Sequence, residues 1–375
     1  MDIGYFLKLM TEKNASDMFL TTGAPVYIKI EGKLYPLGNT GLPAGMVKKI
    51  AYSLMDEGQV PQFERDLELN MALSLADAGR FRVSVFRQKG HLALVLRLIP
   101  FRLLSFEEIG LPKICRALCR RPRGLFLVTG PTGSGKTTTL ASMLNYINMN
   151  FDRHIVTVED PIEYYHNHKK SIVNQREVGV DVPSFSEALR RVLRQDPDVI
   201  LVGELRDLET MESAIRAAET GHLVFSTVHT TGCQGTVNRI IDAFPVDQQE
   251  QIRVQLSTNL IAVLSQALCP KLPKGMVAAY EFMVVTPAIS NLIRENKTYR
   301  VDSAIQTGKK YGMQLLDEHL WTLYAEGKID ASEAIDKSRR PGDMQDKIDA
   351  HRRGQAITGE GEEKKRLDDD DILRS

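Results

Sequence analysis

The residues best suited to chemistry stand together as Gly130, Pro131, Thr132, Gly133, Ser134, Gly135, Lys136, Thr137 and Thr138. An apolar, β-favouring run at 125–129 leads into them, and a helical pattern over 138–144 leads out. Strand, glycine turn and helix are the setting in which this spacing grips a phosphate chain. Glycines let backbone N–H groups converge on phosphate oxygens, and the helix N-terminus adds positive potential. Lys136 can reach the β- and γ-phosphates, and the Thr137 hydroxyl can ligate Mg²⁺. A plain glycine-rich loop has no need of Lys and Thr at those spacings.

Three further apolar runs end in groups that would complete such a site. The strand predicted at 154–158 ends in Glu159-Asp160-Pro161-Ile162-Glu163, that at 199–203 in Glu204, and that at 223–228 in His229. Open α/β sheets bind ligands at the carboxyl ends of their strands. Phosphoryl transfer requires charge neutralisation and positioning more than covalent chemistry, so a nucleoside triphosphate suits this set. Glu163 is the candidate water-activating base, with Glu204 the alternate; spacing alone does not separate the two roles. Gly203 occupies the place where many P-loop enzymes carry a Mg²⁺-binding Asp, so metal binding leans on Thr137 and Glu204. His229 should face the γ-phosphate. His222 lies at the other end of the same strand, roughly 23 Å away, and reads as a packing or subunit-contact residue.

The elements that must position these groups follow from length and periodicity. A chain of 375 residues has room for two or three domains and a large core. Lys plus Arg and Asp plus Glu balance at 48 each, so no basic field argues for nucleic acid. The four cysteines form no CxxC pair and suit a reducing compartment. The N-terminus lacks a signal-peptide pattern, and no run approaches the length needed to cross a bilayer, which predicts a cytoplasmic chain. Residues 1–100 read as a small α+β domain, with helices at 3–13 and 43–56 and strands at 18–22, 26–31, 33–36, 67–75, 79–88 and 91–99. In the strand at 79–88, Arg80 and Arg82 share one face while Phe81, Val83 and Val85 take the other. With Arg87 and Arg97 these make either a solvated sheet face or a set of arginines offered to phosphates.

Residues 101–112 read as a linker, and 113–340 as an α/β domain whose strands alternate with helices, predicting a mostly parallel sheet covered on both faces. Helices are expected at 113–120, at 184–194 with Ser184 as cap, and at 208–220. Beyond Thr236 the pattern turns mainly helical, at 247–266, 287–295, 303–307, 313–326 and 331–337, interrupted by a hairpin at 276–285. From Pro341 onward, residues 341–375 are strongly polar and read as a disordered tail.

Taken together, GPTGSGKTT (130–138), TVEDPIE (157–163), DVILVGELRD (198–207) and AAETGHLVFSTVHTT (217–231) identify a resemblance. The chain resembles the type IV pilus retraction ATPases of the secretion ATPase superfamily over residues 1–340. AISNLIRE at 288–295 looks like the C-terminal motif of that subfamily, with Ser290 in place of its usual Arg. The resemblance implies a PAS-like N-terminal domain, a RecA-like P-loop ATPase domain with a helical C-terminal part, and a homohexameric ring. It implies ATP and Mg²⁺ as cofactors, bound between the two domains, with Arg82 and Arg97 the leading candidates to reach the phosphates. The implied partners are further copies of the chain, an inner-membrane pilus platform protein and a paralogous retraction ATPase. The implied place is the cytoplasmic side of the inner membrane. A pilus-extension or type II secretion ATPase is one alternative, but the extra N-terminal domain and paired-CxxC insertion usual there are missing; a retraction-accessory paralogue is the other. A nucleic-acid translocating motor lacks its basic, aromatic-interleaved surface here. A nucleotide-gated scaffold without turnover would not require the Lys136, Thr137, Glu163, Glu204 set.

Overall fold

The computed structural model describes residues 3–30, 32–75, 79–99 and 102–354. It divides into two compact units, 1–102 and 103–375.

The first unit carries helices α1 (Ile3–Glu12), α2 (Ala44–Leu54) and α3 (Gln59–Asp66). Its strands are β1 (Asp17–Thr21), β2 (Val26–Ile30), β3 (Lys33–Leu37), β4 (Glu68–Leu75), β5 (Gly79–Gln88) and β6 (His91–Ile99). They form one sheet in the order β3-β2-β1-β6-β5-β4, antiparallel at every pairing. One face packs under the helices through Leu7, Val47, Ile50, Phe63, Phe81, Val83 and Val85. The alternation along β5 is as the sequence predicts, with Phe81, Val83 and Val85 buried and the intervening side chains half-exposed.

The second unit contains α4 (Phe106–Ile109), α5 (Ile114–Leu118), β7 (Gly124–Thr129), α6 (Lys136–Asn150), β8 (His154–Glu159), β9 (Ile172–Glu177) and α7 (Phe185–Val192). It continues with β10 (Val199–Val202), α8 (Leu208–Glu219), β11 (Leu223–Val228), α9 (Cys233–Asp242), α10 (Gln249–Asn259), β12 (Leu260–Pro270) and β13 (Met276–Val284). Helices α11 (Pro287–Arg294), α12 (Val301–Thr307), α13 (Leu316–Ala325), α14 (Ala331–Lys337) and α15 (Pro341–Arg352) complete it. The sheet runs β13-β12-β7-β11-β10-β8-β9, parallel throughout except for the β12–β13 hairpin. Strands β7, β10 and β11 are buried along their whole length, which places the sheet between helical layers. No helix among the described residues is long and apolar enough to cross a membrane.

Several expectations need correction. Residues 260–266, read as the end of a helix, are the first part of β12, parallel to β7. All seven are buried, and a fully buried strand shows the same unbroken apolar run as a buried helix. The segment read as a linker holds α4, whose Ser105 side chain and Glu108 form a reciprocal capping box, and whose Phe106 enters the core of the second unit. The polar stretch from Pro341 opens as α15, which buries Met344 and Ile348 beside Leu320, Trp321 and Ile329. Its two apolar residues are spaced four apart on one face, enough to dock a helix whose average composition is polar. Residues 355–375, the remainder of the expected tail, lie outside the described residues. Strand β9 and helices α3 and α9 are additions to the sequence reading.

Candidate active site

Strands β7, β11, β10 and β8 are neighbours in that order, so their carboxyl ends bring four chain segments side by side. From β7 the chain turns at Gly130, whose φ of 140° suits glycine. A Cβ there would overlap the carbonyl oxygen of Gln266 and lie 2.7 Å from Ser134 Oγ. Helix α6 starts after Gly135 with no side-chain cap. Its first-turn N–H groups are therefore left for an external acceptor, and helix N-termini favour anions.

Lys136 is buried, and its Nζ donates to the carbonyl oxygens of Gly130 at 2.9 Å and Pro131 at 3.0 Å. Burial lowers its pKa, opposed first by the charge of Glu204 and then by that of Glu163. The two carboxylates singled out by sequence thus share the electrostatic field of the loop lysine. Among the described residues no group of three or more His, Cys, Asp or Glu side chains could hold a metal ion.

Glu204 follows β10 on a turn held against β11. The Thr227 hydroxyl donates to the Gly203 carbonyl at 2.7 Å, and Leu205 N–H to the Thr227 carbonyl at 2.9 Å. The Glu204 side chain is 12% exposed; one oxygen pairs with Arg206 and the other lies 3.3 Å from His229 Nε2. His229 and Glu204 are therefore brought together, whereas Glu163 is exposed one strand further on. His222 sits at the far end of β11, its Nδ1 2.9 Å from the Ala217 carbonyl, a packing role.

The structure adds residues that the sequence reading missed. Glu159, at the end of β8, is 6% exposed. Burial pushes its carboxyl up to about 7, against hydrogen bonds from Thr157 and Gln175. Those bonds measure 2.7 and 3.1 Å. Tyr164, which follows Glu163, joins its hydroxyl to that of Thr138 at 2.9 Å and ties the β8 loop to α6. Gln266 on β12 donates through Nε2 to the Ser134 carbonyl and accepts from the Thr139 hydroxyl at 2.9 Å. It is 3% exposed and bridges the phosphate loop to the helix that follows. The motif carries no signal for a partner 132 positions away.

In the first unit, Arg82 and Arg97 are direct cross-strand partners. Arg97 Nε donates to Asp17 Oδ1 at 2.8 Å, on a carboxylate whose side chain is 9% exposed. Arg82 forms no hydrogen bond or ion pair among the described residues.

The model of the family "Type II/IV secretion system protein" matches residues 4–355. The chain is 47% identical over 341 residues to the type IV pilus retraction ATPase PilT of Pseudomonas aeruginosa, covering 91% of this chain and 99% of that one. It is 40% identical over 336 residues to the type IV pilus ATPase PilU of the same organism, covering 89% and 88%. A crystal structure of the pilus retraction motor PilT with bound ADP matches at a TM-score of 0.86 and 47% identity, covering 92% of this chain and 99% of that one. The expected α/β architecture, a small N-terminal domain followed by a RecA-like ATPase domain, is the one found.

Proposed function

The chain belongs to the Type II/IV secretion system protein family, and from that premise we propose that it hydrolyses ATP to ADP and phosphate to drive retraction of type IV pili. The observation that carries the proposal is the strand order β7-β11-β10-β8, which sets the phosphate loop, His229, Glu204 and Glu163 at neighbouring carboxyl ends beside the uncapped start of α6. End-to-end likeness to a retraction ATPase supports the choice of process.

In this reading the loop 130–137 binds the phosphates, and Lys136 exchanges its two carbonyl partners for phosphate oxygens. Thr137 and Glu204 would hold Mg²⁺, which would supply neutralising charge when bound. Glu163 or Glu204 orients the attacking water. His229, set against Glu204, reports on the terminal phosphate. Arg82 is the leading arginine for the transition-state charge, because Arg97 is already engaged by Asp17. The working form is a homohexamer on the cytoplasmic side of the inner membrane, acting on the pilus platform protein, with a paralogous retraction ATPase as a further partner.

Two measurements test this. Purified protein should hydrolyse ATP, and Lys136→Ala should abolish turnover; wild-type turnover in that variant would remove the site from consideration. Deletion in a piliated host should give hyperpiliated, non-twitching cells. Bald cells would reassign the chain to pilus extension.

A further inference from the structure

The loop that carries His229 is held from behind by residues that the hydrolytic set does not include. Gly232 N–H donates to Ser265 Oγ at 2.8 Å, and Cys233 N–H to Glu281 Oε1 at 2.7 Å. Ser265 and Glu281 are cross-strand partners on β12 and β13, so adjacent acceptors take consecutive donors at the start of α9. A carboxylate at a helix N-terminus is electrostatically favourable. Glu281 is nonetheless 1% exposed, and a buried carboxylate requires a cation.

Arg339 supplies it from the far end of the unit. Its Nη2 lies 2.8 Å from Glu281 Oε2, and its Nη1 3.5 Å from Asp302 Oδ2. The backbone there is pinned by Asp317, which accepts from Arg339 N–H at 2.8 Å and from Arg340 N–H at 3.1 Å. The guanidinium also rests directly on Gly232, where a Cβ would overlap it. With φ at 79° and ψ at 157°, Gly232 holds a conformation open almost only to glycine. Ion pair and glycine contact converge on two consecutive residues, Gly232 and Cys233, at the end of the loop that carries His229.

We propose that Arg339 is a positioning residue for hydrolysis: through Glu281 and Gly232 it sets the loop that holds His229 against Glu204. The proposal rests on the reading of this site as an ATPase. It makes the segment before α15 part of the catalytic apparatus, although it touches no reacting group. Removing the guanidinium leaves the Glu281 charge buried and opens space over Gly232, so the loop shifts. The phosphate loop, held separately by Gln266, stays in place.

The test is steady-state ATP hydrolysis and fluorescent ADP binding by the full chain, comparing wild type with Arg339→Gln, with Arg339→Lys and with Glu281→Gln/Arg339→Gln. Arg339→Gln should lose roughly tenfold or more in kcat, the scale set by small misplacements at catalytic groups, with ADP affinity near wild type. The double variant, which buries no charge but leaves the space over Gly232 open, should fold and bind ADP as wild type does while keeping a clear part of that kcat loss. If the single variant fails to fold, the double variant against wild type decides: reduced kcat with ADP bound normally supports positioning by the guanidinium, whereas wild-type kcat would show that only the buried charge matters and overturn the proposal. Unchanged kcat in a folded Arg339→Gln, or equal losses in kcat and ADP affinity, would overturn it as well. A wild-type chain that does not hydrolyse ATP would instead remove the functional reading on which the proposal rests.

Discussion

Replacing Gln266 with leucine tests how the phosphate loop is held. Leucine is close in size but apolar, so both bonds of the amide disappear while the volume stays nearly filled. The Ser134 carbonyl then faces an apolar group in a residue that is 2% exposed. An acceptor left unsatisfied in such a place costs about 1–3 kcal/mol. Thr139 fares better. Its N–H already donates to the Gly135 carbonyl at 3.0 Å, and a helical threonine hydroxyl can turn to a carbonyl one turn back. Losing Gln266 Oε1 therefore adds under about 1 kcal/mol there. The sum, roughly 1–4 kcal/mol, should appear as a lower urea midpoint for the ATPase unit. Because the binding-competent loop becomes a smaller fraction of the population, ADP affinity should weaken by about tenfold or more. Thr139→Val, which leaves the buried Gln266 Oε1 without its donor but keeps the bond to Ser134, should cost about 1–3 kcal/mol of stability and leave affinity near wild type. If Gln266→Leu unfolds at the wild-type midpoint and binds ADP equally well, the amide is not what holds the loop, and the reasoning fails.

Four more outcomes can be checked. The Glu159 carboxyl keeps its proton in the fold up to about pH 7 but in the unfolded chain only to about 4.5. The native state therefore loses stability as pH rises through that window, and Glu159→Gln should be more stable than wild type at pH 8, by up to about 3 kcal/mol, with the gap closing near pH 4.5 in denaturant titrations. Glu204→Gln and Glu163→Gln should both bind ATP, and the one with the lower residual turnover under single-turnover conditions identifies the water-orienting carboxylate. Arg82→Ala should lower turnover without altering the melting of the first unit, whereas Arg97→Ala should also lower its melting temperature by stranding Asp17. Ile348→Ala, at a fully buried position of α15, should loosen that helix by about 2–5 kcal/mol and expose the chain after α14 to limited proteolysis.

How much of this was legible depends on whether the responsible contact is local. The phosphate loop and the ends of β8, β10 and β11 could be read because a buried parallel strand is an apolar run with an abrupt polar stop, and that stop is where ligands bind. The cap at Ser184 was legible for the same reason: its hydroxyl accepts from Glu187 N–H, three residues on. Strand β9 was not, since Ile172–Glu177 is an edge strand with only Val173 and Glu177 buried and no alternation to betray it. Glu159 was passed over for Glu163 because TVEDPIE offers three acids, and only packing shows which one is dry. Gln266, Glu281 and Arg339 were out of reach altogether. Each acts on a segment far away in the chain, and each resembles an ordinary polar residue.

Those three residues bear on how the two catalytic loops are mounted. Gln266 holds the phosphate loop, and its neighbour Ser265 holds Gly232. Opposite Ser265 stands Glu281, which holds Cys233. The middle of the β12–β13 hairpin thus supports both the loop that grips phosphate and the loop that bears His229. A displacement of the hairpin would move the two together, while side-chain changes can separate them. Ser265→Ala should therefore disturb kcat more than nucleotide affinity, and Gln266→Leu affinity at least as much as kcat. The same hairpin packs against α13, with His319 accepting from Tyr280 N–H at 2.9 Å. The C-terminal helices consequently have a short, well-packed route to both loops, through Arg339 on one side and Tyr280 on the other. If Ser265→Ala and Gln266→Leu gave identical losses in kcat and affinity, the hairpin would be acting as a single rigid support, and the separate duties assigned to its side chains would be wrong.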